Sequence, residues 1–352
     1  WDCHSKLEKQ KVEVPKENCF WGFDSYKELL EVDLDVVILA TPPHFRPVHF
    51  DAAIQAKKHV FMEKPVSVDP VGARQIIATS KKAESMGLTV ITGTQRRHQR
   101  DYLETYRQVA SGAIGEITSA KAWWLQSHVW FRTREEGWSD MEYMIRNWNN
   151  FCWLCGDHIL DTHVHNIDIV NWFIGKNPES AIGFGGRVRR LTGDQYDFFS
   201  IDFEFGNGVF SHSMSRQIDG CANTLGELVM GTEGYTNCKN TIYNPDGTIK
   251  WQYDYPKNKD GKSTGIVEVS PYVQEHIDLV TAIRTKKPVV EAERTAISTL
   301  TAIMGRTAAY TGQKVTWEDM LNSTERLGPE KYEMGSVNLE FPVPLPGTQH
   351  KA

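Results

Sequence analysis

Between Ser25 and Thr92, short apolar runs alternate with amphipathic stretches. Asp33-Leu-Asp-Val-Val-Ile-Leu-Ala40 closes on a β-branched run, His59-Val-Phe-Met62 forms a second and Leu88-Thr-Val-Ile-Thr92 a third. Helical patterns fill the intervals from Phe45 to Ala56 and from Pro70 to Met86. Strands separated by helices in this way predict βαβ units and a parallel sheet buried on both faces. Such a sheet takes ligands beyond the carboxyl ends of its strands. Those ends are Thr41-Pro42-Pro43-His44, Glu63-Lys64-Pro65 and Gly93-Thr94-Gln95-Arg96-Arg97.

The pattern changes after about Arg96. A helix is predicted from Asp101 to Ser111 and a strand near Glu116 to Trp124, followed by an irregular aromatic stretch up to Cys155. One strong helix is expected from Asp157 to Ile174. Beyond it, strands are expected near Ala181 to Arg189, Phe198 to Phe205 and Val209 to Ser215, the last two joined at Gly206-Asn207-Gly208, a hairpin signal. Asn244-Pro-Asp-Gly247 marks another turn. Helices from Tyr272 to Arg284 and from Ala292 to Tyr310 precede a proline-punctuated tail, Thr316 to Ala352, expected to wrap the surface. The fold class expected is α/β: a parallel sheet, then an α/β domain with a largely antiparallel open sheet. The corresponding division is 1–95, 96–315 and a tail over 316–352.

Composition narrows the class. Of 352 residues, 40% are hydrophobic and 24% charged, the profile of a globular protein with a sizeable core. No apolar run approaches the ~18 residues needed to span a bilayer. Forty-five acids against 39 bases give a formal charge of −6 with no basic block, so nucleic acid is not an expected partner. Six irregularly spaced cysteines make no disulfide framework.

The most informative segment runs from Gly156 to Trp172. At ~100° per residue, His158, Asp161, His165, Asp168 and Trp172 share roughly 80° of arc on a continuous helix, with Leu160, Val164, Ile167 and Val170 opposite. A carboxylate one turn from a histidine can orient it as a proton acceptor. The same spacing also describes the wet side of an amphipathic helix. Lys64 is placed where a substrate hydroxyl could meet its ammonium group, although surface solvation is the commoner fate of a lysine. Cys152, Cys155, His158 and His163 are zinc-type ligands at close spacing, but helical phase sends His163 and His165 to different sides, so packed thiols and no metal are expected. Six of the eleven tryptophans lie between Trp123 and Trp153, among Arg132, Arg134, Arg146 and Asn147. Such faces suit a sugar ring, an aromatic satellite core or an oligomer contact.

Taken together, Ala40-Thr-Pro-Pro-His44, Glu63-Lys-Pro65, Gly93-Thr-Gln-Arg-Arg97 and Asp161-x-x-x-His165-x-x-Asp168 resemble the Gfo/Idh/MocA family, the glucose-fructose oxidoreductase and inositol dehydrogenase relatives. Arg146-Asn-Trp148 through His163-Val-His-Asn-Ile-Asp168 is similar to a subgroup frequent among bacterial sugar-degrading proteins, many of them exported. The resemblance implies a nicotinamide-dependent oxidoreductase of a sugar, sugar alcohol or glycoside, using NAD or NADP. A glycoside hydrolase using NAD transiently, or a non-catalytic sugar-binding protein, are the alternatives. It implies Lys64, His165 and Asp161 as catalytic; Thr41, Pro42, His44, Glu63, Lys64 and Arg96 around the cofactor; and Trp148, His158, His163 and Asp168 toward substrate. It further implies that the first sheet is an incomplete Rossmann-type sheet and that the protein is a homo-oligomer formed through the open sheet.

One element of that family's pattern is not found. No G-x-G-x-x-G occurs before Ser25, and Trp1-Asp2 looks like the region after a second strand, so the first βαβ portion is expected to be missing. Cytoplasm and periplasm both stay open as locations.

Overall fold

The structure is a computed structural model, described here over residues 14–337 and 342–347. Its first layer is a parallel sheet of three strands, β1 (Val36–Leu39), β2 (His59–Met62) and β3 (Val90–Thr92), in that order. Val37 faces Val60, and Val60 faces Val90. α1 (Ser25–Glu31) precedes β1, while α2 (Arg46–Gln55) and α3 (Pro70–Ser85) supply the crossovers. α3 starts where the sequence says it should: Pro70 opens it, and the Asp69 carboxylate accepts the Gly72 amide at 2.7 Å. Leu39, Phe50, Ile54, Val60, Met62 and Ile76 fill one side of this sheet.

The second layer is a nine-stranded sheet. Its strands are β4 (Ile117–Gln126), β5 (Ser180–Gly186), β6 (Phe198–Glu204), β7 (Phe210–Gln217), β8 (Thr224–Gly231), β9 (Gly234–Thr236), β10 (Thr241–Tyr243), β11 (Ile249–Gln252) and β12 (Val315–Thr316). The spatial order is β11-β10-β9-β8-β4-β7-β6-β5-β12, with β4 and β7 parallel and the other pairs antiparallel. β8 was not expected from sequence, yet it pairs with β4 along its whole length.

The expected helix over 157–174 is broken. After α4 (Arg100–Ala110), α5 (Asp140–Arg146) and α6 (Cys152–Cys155), the chain forms α7 (His158–Asp161), turns at Thr162 and His163, and continues as α8 (Val164–Ile174). The turn has partners on β7: Ser213 Oγ lies 2.8 Å from His163 Nε2, and Gln217 Nε2 donates to Thr162 Oγ1 at 3.2 Å. α8 ends at Gly175, whose φ of 82° is a left-handed cap that costs glycine little. Ile167, Val170, Phe199, Ile201 and Phe203 join α10 (Ala292–Thr311) in the main core. The opposite sheet face is open, with Ile182 56% and Phe184 64% exposed.

α9 (Pro271–Arg284) and the start of α10 return to the first layer. Leu279 and Ile283 cover Phe61 and Ile91, and Ala292 and Ala296 enter the first core. Packing therefore crosses the expected division at 96–315, because both faces of a parallel sheet need cover. The described part of the tail makes contacts with both layers. Beyond α11 (Trp317–Asn322), Arg74 donates to the Met320 and Ser323 carbonyls, the Leu327 amide donates to Asp69, and Tyr332 Oη lies 2.7 Å from His44 Nε2. Tail positions 338–341 and 348–352 lie outside the described residues, as do the first 13 residues. Among the described residues no helix is long and apolar enough to cross a membrane.

Candidate active site

The carboxyl end of β2 carries Glu63, Lys64 and Pro65 directly toward α7. Lys64 Nζ donates to the Asp161 main-chain carbonyl and lies 3.9 Å from Asp161 Oδ1, with both side chains 18% exposed. The Glu63 carboxylate accepts the Lys64 amide at 3.2 Å. Gly93, at the end of β3, leaves room for the Glu63 carboxylate: a Cβ there would stand 2.4 Å from its oxygen and push that side chain aside.

His165 follows on the first turn of α8. Burial holds its imidazole well below the usual histidine range, and the cations of Lys64 and Arg96 add to that. The ring is therefore neutral at pH 7 and has a lone pair available for a proton. Trp124, near the end of β4, stacks beside it with ring centroids 6.0 Å apart. Lys64, at the end of β2, thus meets Asp161 on α7, its charge is felt by His165 on α8, and a flat aromatic face lies beside that histidine.

Other expected contacts have internal partners instead. Asp168 is buried, paired with Arg97 at 2.7 Å and accepting from Ser298 at 2.7 Å, so it ties α8 to the ends of β3 and α10 rather than facing substrate. His158 lies between Asp157 and Ser215 Oγ, and His163 lies on Ser213, both buried. The break at Thr162–His163 removes the common arc that a continuous helix would give His158 with His165 and Asp168. Trp148 belongs to a satellite core with Met144, Phe151 and Trp153. His44 is buried against Trp153 and Tyr332, which leaves Thr41 and Glu63 as the accessible polar groups at the β1 and β2 ends. Arg96 is buried on Glu227 and Asn166. Asn166 in turn donates to the carbonyls of Trp123 and Gly226, fixing α8 to the sheet.

The cysteines are similarly occupied. Cys155 accepts from Gln195 at 2.7 Å and donates to the Phe151 carbonyl, while Cys152 lies 3.7 Å from Tyr310 Oη. Among the described residues no group of three or more His, Cys, Asp or Glu is arranged to hold a metal ion.

Sequence reasoning missed Trp124, Glu227 and Arg46. Trp124 had a weak signal, since it is one of the clustered tryptophans. Glu227 had none, because its strand was not anticipated.

A parallel nucleotide-binding type of sheet joined to an open mixed sheet, with lysine, carboxylate and histidine at the joint, defines the class. The family description "Oxidoreductase family, NAD-binding Rossmann fold" matches residues 3–92, and "GFO/IDH/MocA C-terminal domain" matches residues 102–236. The chain belongs to the GFO/IDH/MocA oxidoreductase family. It is 25% identical over 220 residues to a scyllo-inositol 2-dehydrogenase (NAD(+)) of Bacillus subtilis, covering 61% of this chain and 58% of that protein. It is 26% identical over 178 residues to a 2,7-anhydro-N-acetylneuraminate hydratase of Escherichia coli, covering 50% and 44%. The chain spans about half the length of the curated relatives it matches. An oxidoreductase domain protein from Kribbella flavida has a similar fold, with a TM-score of 0.70, 17% identity and coverage of 89% and 86%.

Proposed function

We propose that this protein is a nicotinamide-dependent oxidoreductase that moves hydride between a sugar, sugar alcohol or glycoside hydroxyl carbon and NAD or NADP. The convergence of Lys64, Asp161 and His165 beyond the strand ends carries this reading. The donor set fits a cofactor's ribose and nicotinamide end: Thr41 is exposed and Glu63 half-buried, both at the sheet's carboxyl edge. When bound, the nicotinamide supplies the hydride acceptor. Lys64 holds the substrate oxygen by donating a hydrogen bond from Nζ. His165, neutral at its ring, takes the hydroxyl proton as the carbonyl forms. Asp161 pairs with Lys64 and keeps it aimed at that oxygen. The Trp124 face packs against the apolar side of the sugar ring.

The test is to incubate the protein with NAD or NADP and a panel of inositols, aldoses and methyl glycosides, following reduced cofactor by absorbance and products by NMR. The expected result is one reduced cofactor per ketone or lactone formed. Glycoside cleavage or water addition without net cofactor reduction would instead assign transient oxidation, a possibility kept open by the hydratase among the relatives. No turnover and no dinucleotide binding would leave only a sugar-binding role.

We also infer that the open face of the nine-stranded sheet, bearing Ile182, Phe184 and Phe210, pairs with a second copy of the chain. Exposed apolar side chains on β5 and β7, with Ser200, Asp202 and Glu204 of β6 between them, give this face the mixed apolar and polar character of a self-complementary contact.

A further inference from the structure

Arg46 opens α2 and is only 4% exposed. Its Nη1 donates to the Pro65 carbonyl, one residue from Lys64, while its Nε has no partner. Burial pushes its pKa down to about 10, and the carboxylates that support its charge are Glu63 and Asp161. Neither makes a direct ion pair with it; Asp161 is instead 3.9 Å from Lys64. This placement is unfavourable twice over. A buried cation without a direct counter-ion is costly to desolvate, and the first turn of a helix is its positive end. One bond to a carbonyl does not explain it, because an amide side chain could make that bond.

The surrounding charges explain it better. Glu63 and Asp161 flank Lys64, so with Lys64 alone the pocket would hold two carboxylates against one cation. Oxidising a hydroxyl places growing negative charge on the substrate oxygen, and an excess of carboxylate would oppose it. With Arg46 the fixed charges balance before the reaction begins. His49, one turn along α2, also feels this cation: after burial, Arg46 is the second cause that brings its imidazole down to about 4.

We propose that Arg46 is a positioning residue for the reaction: the fixed second cation behind Lys64, holding the Glu63-Lys64-Pro65 turn and offsetting Glu63 and Asp161 as the substrate oxygen gains charge. The proposal rests on the oxidoreductase reading. A charge that matters chiefly in the transition state affects kcat more than KM.

Arg46→Gln can keep a donor to Pro65 but has no charge, whereas Arg46→Lys keeps the charge. In the Gln variant, kcat should fall at least ~10-fold with both KM values within about threefold. The Lys variant should recover most of that loss. Imidazole NMR supplies a readout that does not depend on turnover: His49 should titrate at higher pH in the Gln variant and stay near wild type in the Lys variant. Equal loss of kcat in both variants would reduce Arg46 to a turn-holding side chain, and near-wild-type kcat in both would remove the role altogether. A wild type that turns over no hydroxyl compound with either cofactor removes the enzyme reading, and this role with it. An active wild type with unaffected variants removes the role alone.

Discussion

In the proposed reaction Lys64, which follows β2, and His165, on α8, act on one hydroxyl, and each needs the other. Without Lys64 the substrate oxygen has no ammonium donor. Without His165 its proton has no neutral acceptor, because Asp161 is already engaged with Lys64. We expect Lys64→Ala and His165→Ala each to lower kcat at least ~10²-fold, the usual scale for positioned acid–base groups. Steady-state kinetics on variants with unchanged melting temperatures would check this. If both kept near-wild-type turnover, the assignment of the site would have to be abandoned. The depressed pKa of His165 adds a sign: lowering pH from 7 to 6 should not protonate it, so this histidine contributes no loss of rate over that interval.

Among the elements, legibility followed whether the determining contacts were local. β1, β2 and β3 were readable because each is a short, β-branched run flanked by a helix signal such as Asp69-Pro70. β8 was not, because its inward face carries Glu227, which is satisfied only by Arg96 and Tyr102, over a hundred residues earlier. The break at Thr162–His163 has the same cause: its partners Ser213 and Gln217 lie about fifty residues away. That break separates Asp161, which meets Lys64, from His165 on the next helix, while His158 and Asp168 take internal partners. The motif therefore located the helix, while the partners of His158, His163 and Asp168 come from distant segments that its spacing does not reveal. The open sheet face offers a test at this scale. Phe184→Asp lies on β5, its side chain away from the main core, so the fold should be unaffected and any multimer should dissociate. Light scattering at matched concentrations would show it. A wild type already monomeric, or a variant of unchanged mass, would exclude this face as the contact.

At the scale of the molecule, the buried titratable groups predict how stability depends on pH. Burial lowers His44 and His49 to about 4 and His163 to about 3, and His59, His128 and His165 are lowered as well. As pH falls below about 6.5 the unfolded chain takes up protons that the folded chain resists, so stability drops, most through the buried His44, His49, His163 and His165 and less through the more exposed His59 and His128, where solvent screens the effect. The opposing groups are carboxyls. Burial raises Asp194 to about 7 and Glu275 to about 8, the latter helped by Glu63, and Glu227 is also raised. They keep a proton in the folded state, so the stability they confer is present at low pH and lost as pH rises through their folded values. His98 acts in the same direction, since Glu291 and Asp278 outweigh its burial and raise it. Below pH 6.5 the six histidines outnumber the three carboxyls, and above it the histidines no longer titrate while the carboxyls and His98 still do. Melting temperature should therefore peak between about pH 6 and 7, falling more steeply on the acid side. A curve that climbs steadily to pH 8, or one that peaks below pH 5, would show that these imidazoles are not held neutral in the folded protein, and the neutral base assigned to His165 would lose its support.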